Sequence, residues 1–145
     1  MCIRDSYTAA LMAHNTHPDY KYDLENANYT QEGINPSCGD EMTLKLRVED
    51  GVIEEAAFTG HGCAVSLASA DIMAELITGE RIEVAQHLID LFVRMIQGDE
   101  LSESERVELD EAAELESIGR MPARVKCAEL AWRTLHGLLE KNQLN

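Results

Sequence analysis

Apolar and polar residues alternate in the middle of the chain in the pattern of a β-hairpin. Over residues 42–48 every second side chain is apolar and the positions between them are Thr, Lys and Arg, which is typical of a half-buried strand. Asp50-Gly51 follows, and this pair suits the positive φ angles of a tight turn. Residues 52–59 form the predicted return strand, which leads into Gly60-His61-Gly62.

After this point the hydrophobic period lengthens from two residues to about 3.6, which indicates helices. Helices are predicted over residues 63–77 and 82–97, followed by Gly79 and Gly98 as C-terminal caps. Pro122 opens a third helix that runs to residue 141. Proline suits the first helical position because its missing N–H would have no partner there anyway.

The remaining segments are less regular. A short helix is predicted over residues 7–13, and residues 14–35 are polar and broken by Pro18 and Gly33, so they are predicted as a long irregular connection. Residues 99–117 carry nine carboxylates and one arginine. This composition favours a solvated loop or a marginal helix.

Together these elements predict an α+β fold, in which a small antiparallel sheet of about three strands packs against helices. The 145 residues suffice for one domain with its own core, so residues 1–145 are interpreted as a single domain. Residues 1–6 fall outside every periodic element and are interpreted as a non-native or disordered extension of that domain.

The charge of the chain narrows the possible partners. Its formal net charge is −15, with 12 basic and 27 acidic residues, which argues against binding to nucleic acid. No apolar run approaches the roughly 20 residues that span a bilayer, and no secretory signal is visible. We therefore expect a cytoplasmic protein that binds neither nucleic acid nor membrane.

The four cysteines are the candidate reactive groups. Cys2 lies in the N-terminal extension, which leaves Cys38, Cys63 and Cys127. Disulfides are rare in a reducing compartment. Three remaining cysteines therefore fit a metal site or thiol chemistry better than pairing.

Each of these three cysteines occupies a special backbone position. Cys38 lies in a turn-rich segment with Pro and Gly, where Asp40 can direct its carboxylate to the same point. Cys63 is predicted at a helix N-terminus, which favours anionic ligands, and Cys127 in the second turn of the last helix, pointing inward. Three cysteines and one aspartate offer the four ligands that tetrahedral Zn²⁺ requires. For any one cysteine alone, a buried apolar role is the alternative, and the spacing lacks the usual Cys-x-x-Cys pair.

Three segments resemble the signature blocks of the IscU/NifU-N iron–sulfur scaffold superfamily. They are Asn35-Pro-Ser-Cys-Gly-Asp40, Gly60-His-Gly-Cys-Ala-Val-Ser-Leu-Ala-Ser-Ala70 and Pro122-Ala-Arg-Val-Lys-Cys-Ala-Glu-Leu-Ala-Trp132. The chain is most similar to the SufU branch of this superfamily. It has Lys126 before the last cysteine, where IscU-type scaffolds usually have His, and residues 99–117 match the insertion of the SufU type.

The resemblance implies a metal site formed by Cys38, Asp40, Cys63 and Cys127, with Zn²⁺ as the metal. It further implies a sulfurtransferase, with Cys38 accepting persulfide sulfur from a pyridoxal-phosphate-dependent cysteine desulfurase and a SufB-containing assembly complex as the downstream acceptor. Arg124 is a candidate for stabilising the thiolate or persulfide, with a solvated helix residue as the alternative.

Two other functions remain open at this point. The same ligands could hold a nascent [2Fe–2S] cluster, which would make the chain a scaffold. A purely structural zinc module is the third possibility, although closed structural sites consist mostly of Cys and His.

Other polar residues are assigned lesser roles. His61 is interpreted as an exposed turn residue, and the remaining histidines show no ligand spacing among themselves. Ala13-His14 stands where the family commonly has an Asp-His pair, which weakens the expected desulfurase contact of that segment. Ser66 and Ser69 are interpreted as helix-start hydroxyls, because no base accompanies them.

Overall fold

A computed structural model describes residues 9–36 and 39–142 of the chain, so Cys2 and Cys38 lie outside the described residues. In chain order its elements are α1 (Ala9–Thr16), β1 (Tyr29–Asn35), β2 (Asp40–Glu49), β3 (Val52–His61), α2 (Ala64–Ile77), α3 (Ile82–Ile96), α4 (Glu103–Leu109), a 3₁₀ segment (Asp110–Arg120) and α5 (Pro122–Lys141). The three strands form one antiparallel sheet, and helices pack against it. The predicted α+β class is confirmed.

The predicted hairpin is formed by the central strand β2 and the edge strand β3. Asp50 and Gly51 both adopt positive φ, at 52° and 78°, as the turn requires. The apolar side chains of β2 all lie buried on one face: Met42, Leu44, Leu46 and Val48. Alternation along the sequence therefore fixes which face of the sheet meets the helices.

Strand β1 is a correction, because the sequence predicted an irregular connection there. In this strand an apolar side chain faces outward and a polar one faces inward. Ile34 is 61% exposed, whereas Asn35 is buried. At Gly33 an added Cβ would lie 2.0 Å from the Oγ1 atom of Thr134 in α5. The close approach of α5 leaves no room for a side chain at Gly33, and the buried Asn35 is polar, so β1 lacks the apolar repeat of an ordinary strand.

Helices α2 and α5 are joined by a buried polar and aromatic contact. Trp132 is fully buried, and its ring stacks on Phe92 with centroids 4.2 Å apart. Its Nε1 donates to the hydroxyl of Ser69 at 3.0 Å, and that hydroxyl donates to the carbonyl of Ala128 at 2.7 Å. This chain of bonds sets the distance between two helices that each carry a cysteine. Ser69 is therefore a linking residue between helices.

The acidic segment is a second correction, because it packs as ordered structure and is not a solvated loop. A capping box between Ser102 and Glu105 starts α4. Apolar residues then recur at every third position and are fully or nearly fully buried: Leu109, Ala112, Leu115 and Ile118. A spacing of three places side chains on one face of a 3₁₀ helix, and it differs from the periods of a strand and of an α-helix.

Within this segment an ion pair provides a test of its acid sensitivity. Arg106 donates to both carboxylate oxygens of Glu116, one of them at 2.8 Å. These bonds lower the pKa of Glu116 below its ordinary value of 4.5. The pair therefore stabilises the fold above that value, and its contribution is lost as pH falls through the lower folded-state pKa.

We expect Glu116→Gln to cost about 0.2–1 kcal/mol of unfolding free energy at pH 7, because both partners are about one-third exposed. The difference from the unmodified chain should shrink below pH 4.5. Urea unfolding of both proteins across this range measures it, with the exposed Glu114→Gln as control. A difference that grows on acidification would contradict the assignment.

Among residues 9–36 and 39–142, the structure contains no helix that is both long enough and apolar enough to cross a membrane.

Candidate metal centre

The structure brings three of the four predicted ligands together. A carboxylate oxygen of Asp40 and the Sγ atoms of Cys63 and Cys127 all lie within 4.8 Å of one another. They come from the first residue of β2, the N-cap of α2 and the second turn of α5. Cys38 lies outside the described residues, two positions before Asp40, and its place in the ligand set stays a prediction.

Asp40 is a fully buried carboxylate held by two neutral donors. Its Oδ1 accepts from the backbone N–H of Cys63 at 2.9 Å, and its Oδ2 accepts from the Asn35 amide at 3.3 Å. Neither of these donors carries a charge. Neutral donors offset only part of the cost of burying a carboxylate, so a cation at this point would stabilise the fold.

The loop before α2 is shaped to bring Cys63 to Asp40. A Cβ on Gly62 would lie 2.7 Å from Asp40 Oδ1 and 2.5 Å from Ser66 Oγ, which leaves room for glycine alone. Ser66 donates to the Cys63 carbonyl at 3.1 Å, and its oxygen lies 3.8 Å from the Cys63 sulfur. In agreement with the sequence interpretation, Ser66 is a helix-start hydroxyl, and the structure adds that it is buried beside a candidate ligand.

The two thiols differ in accessibility. Cys63 is half-buried, whereas Cys127 is fully buried, as its inward position in the helix predicted. Two thiolates and one carboxylate are ligands that zinc accepts, with a fourth position still to be supplied. The residues present therefore fit a zinc ion. Thiolates also ligate iron–sulfur clusters, so the donor set alone does not choose between the two.

Asn35 is a site residue that the sequence analysis missed. Its amide nitrogen lies 3.3 Å from Asp40 Oδ2 and 3.7 Å from the sulfur of Cys127, and the residue is 5% exposed. The register of the sheet places it directly opposite Asp40. The Asn-Pro turn was visible in the sequence, but the pairing that turns this amide inward was not.

We predict that Asn35→Ala lowers zinc affinity about 10- to 100-fold, the usual effect of removing a group that orients a metal ligand. Chelator competition measures the change, with Thr30→Ala on the outward face of β1 as the matched control. An affinity equal to that of the control would show that the amide does not orient the ligands.

The other candidate residues lie around this centre. Arg124 is half-buried in the first turn of α5, three positions before Cys127, and its role toward the thiolate stays a prediction. Lys126 is exposed. His61 has a side chain that is 72% exposed and pairs with Glu41 at 3.4 Å, in agreement with its interpretation as a surface residue.

Comparison with known proteins places this centre in a family. Residues 6–93 match the model of the NifU-like N terminal domain. The IscU iron–sulfur cluster assembly scaffold protein of Thermotoga maritima is 40% identical, with 97% of each chain covered. The zinc-dependent sulfurtransferase SufU of Bacillus subtilis is 34% identical, over 94% of this chain and 91% of that protein.

A solved structure agrees with the fold throughout. The crystal structure of an iron–sulfur cluster assembly scaffold protein for the SUF system from Fervidobacterium islandicum superposes with a TM-score of 0.87 at 33% identity. The match covers 95% of this chain and 99% of that one. With the convergence of Asp40, Cys63 and Cys127, these findings show that the chain belongs to the NifU-like N-terminal domain family, which includes IscU and SufU.

Proposed function

We propose that the chain is a zinc-dependent sulfur acceptor, which takes persulfide sulfur from a cysteine desulfurase and delivers it for iron–sulfur cluster assembly. The observation that carries the proposal is the buried carboxylate of Asp40 beside two thiols, a ligand set suited to zinc. Lys126 supports it further, because SufU-type chains resemble this one at that position. A SufB-containing complex is the proposed downstream acceptor.

The transfer is a thiol exchange that needs no external oxidant. The desulfurase carries sulfur as a persulfide on its own cysteine. The Cys38 thiolate attacks the terminal sulfur, a new S–S bond forms on Cys38, and the enzyme's S–S bond breaks to leave a cysteine thiolate. One sulfur atom moves at the oxidation level it already has.

Burial supports the choice of Cys38 as acceptor over the other thiols. Cys127 is fully buried, which closes its sulfur to a partner protein, and Cys63 is half-buried at a helix N-cap. Cys38 lies between Pro36 and Gly39, and Gly39 adopts a positive φ of 72°, which marks a turn at that end of the segment. Bound zinc would hold the ligand-bearing elements together and keep the ligand thiols deprotonated.

The test compares cysteine variants in desulfurase turnover. With the cognate desulfurase and cysteine, zinc-loaded protein should accelerate alanine release, and Cys38→Ala should return the rate to that of the desulfurase alone. Cys2→Ala serves as the matched control, because it removes a thiol far in sequence from the proposed ligands. Full acceleration by Cys38→Ala, with loss in Cys63→Ala, would overturn the assignment of the acceptor.

The scaffold function is the second candidate, and the name of the Thermotoga maritima relative favours it. We expect zinc-loaded protein to form no stable cluster when given Fe³⁺ and sulfide, because bound zinc occupies the thiolates that a cluster needs. Visible absorption and cluster transfer to an apo-ferredoxin measure this. A stable, transferable [2Fe–2S] cluster formed in the presence of equimolar zinc would establish the scaffold instead.

A further inference from the structure

A second group of potential metal ligands lies away from the cysteines, where α1, α2 and the 3₁₀ segment meet. The buried imidazole of His14 donates through Nδ1 to Asp71 at 2.5 Å. Its Nε2 lies 3.0 Å from an oxygen of Glu111 and 4.0 Å from an oxygen of Glu75. Histidine and two glutamates offer ligand atoms that all lie within 4.8 Å of one another.

The position of Asp71 determines which imidazole nitrogen is available. This carboxylate is fully buried, and its other oxygen accepts the backbone N–H of Tyr20 at 2.8 Å, so it is fixed in place. A fixed acceptor at Nδ1 holds the proton there and directs the lone pair of Nε2 toward the two glutamates. Carboxylate, imidazole and metal are arranged in this order in many protein metal sites.

With the proton on Nδ1, the Nε2 atom of His14 is a hydrogen-bond acceptor, and it faces a second acceptor, the carboxylate of Glu111. The lone pair of neutral imidazole faces a Glu111 oxygen at 3.0 Å, which is repulsive unless a proton or a cation lies between them. Burial alone would lower the pKa of His14, but the hydrogen bonds to Asp71 and Glu111 outweigh it and raise that pKa. The surroundings of Nε2 therefore favour a positive charge.

One proton does not balance the charge of this cluster. Three carboxylates face a single imidazole, because Asp71, Glu75 and Glu111 each pair with His14. Burial, followed by repulsion from Glu111, raises the pKa of Glu75, which is the expected sign of crowded negative charge. A divalent cation would neutralise more of this charge than a proton does.

Open space lies beside the two glutamates of the cluster. A cavity of about 180 Å³ opens beside it, lined by Glu75, Asp110, Glu111 and three apolar residues, with no cationic side chain. The side chains of Glu75 and Glu111 are 43% and 40% exposed, so both have freedom to place an oxygen on an ion bound at Nε2. Imidazole and carboxylate ligands suit Zn²⁺, Fe²⁺ and Mn²⁺.

We propose that Nε2 of His14 and the carboxylates of Glu75 and Glu111 bind a second divalent transition-metal ion, separate from the thiolate centre. Asp71 orients the imidazole for it. The ion would join α1 and the 3₁₀ segment to α2. Asp71 and Glu111 lie 57 and 97 residues after His14 in the chain, so the fold brings these residues together. This site does not depend on the proposed sulfur transfer.

The test is the zinc stoichiometry of the full chain. After equilibrium dialysis against buffered free Zn²⁺, the unmodified chain should hold about two zinc ions and Glu111→Gln about one. Cys63→Ser should weaken only the thiolate-bound ion and leave the affinity for the second unchanged. Asp71→Asn should weaken the second ion about 10- to 100-fold without removing a direct ligand.

The exposed pair His87–Glu108 provides the matched control, with the same Nε2–oxygen distance of 3.0 Å. Glu108→Gln should leave the zinc content unchanged. Nitrogen NMR of the imidazoles gives an independent readout, because zinc added after the first equivalent should shift His14 Nε2 and leave the His87 signals in place. One zinc ion in the unmodified chain, or equal losses in Glu111→Gln and Glu108→Gln, would overturn the proposal.

Discussion

Replacing Cys63 by Ser should lower the affinity of the thiolate centre for zinc by about 100- to 1000-fold. Zinc held by protein ligands contributes roughly 10–16 kcal/mol, so one of the four proposed ligands accounts for about 2.5–4 kcal/mol. Serine keeps the volume and the N-cap position, and its backbone N–H can still donate to Asp40. The loss therefore reports on the sulfur itself.

Competition with a chromogenic chelator measures this affinity, and Cys2→Ser is the control that also removes one thiol. Cys127→Ser should have a similar effect, because its sulfur belongs to the same cluster and is fully buried. Retention of the original affinity in either of these two variants would show that the cluster is not the zinc site.

Replacing Trp132 by Ala should reduce the free energy of unfolding by about 3–5 kcal/mol, the usual cost of deleting a buried large aromatic side chain. The ring is fully buried and stacked on Phe92, and its N–H donates to Ser69. Its removal leaves a cavity between α3 and α5. It also removes the N–H that donates to the hydroxyl of Ser69, which joins α2 to α5.

Urea denaturation followed by circular dichroism measures this loss in zinc-free protein, which separates packing from metal binding. Trp132→Phe is the matched variant, because it keeps an aromatic ring and loses the hydrogen bond to Ser69. It should cost less than the alanine variant. A loss below about 1 kcal/mol for Trp132→Ala would contradict the buried position of this ring.

The hairpin and the three main helices were predictable because their apolar residues follow the period of the element. Strand β1 was not, since its inward positions include Gly33 and Asn35 and its aliphatic Ile34 points outward. The 3₁₀ segment was missed for a different reason: its apolar spacing of three matches neither the two-residue period of a strand nor the 3.6-residue period of an α-helix.

The site could be predicted as far as its residues carry recognisable local signals. Asp40, Cys63 and Cys127 stand at turns or helix starts, and the structure brings them together. Asn35 contributes through cross-strand pairing, which no local pattern reveals. The group around His14 joins residues 57 and 97 positions apart, so only the packing of three elements brings it into view.

The most direct measurement is to map transferred sulfur by mass spectrometry. Zinc-loaded protein is incubated with its cognate desulfurase and cysteine, the thiols are alkylated, and each cysteine peptide is examined for one added sulfur atom. Added sulfur on Cys38, absent from Cys63 and Cys127, is the predicted result. No added sulfur on any cysteine, with alanine released at the rate of the desulfurase alone, would contradict the function as a sulfur acceptor.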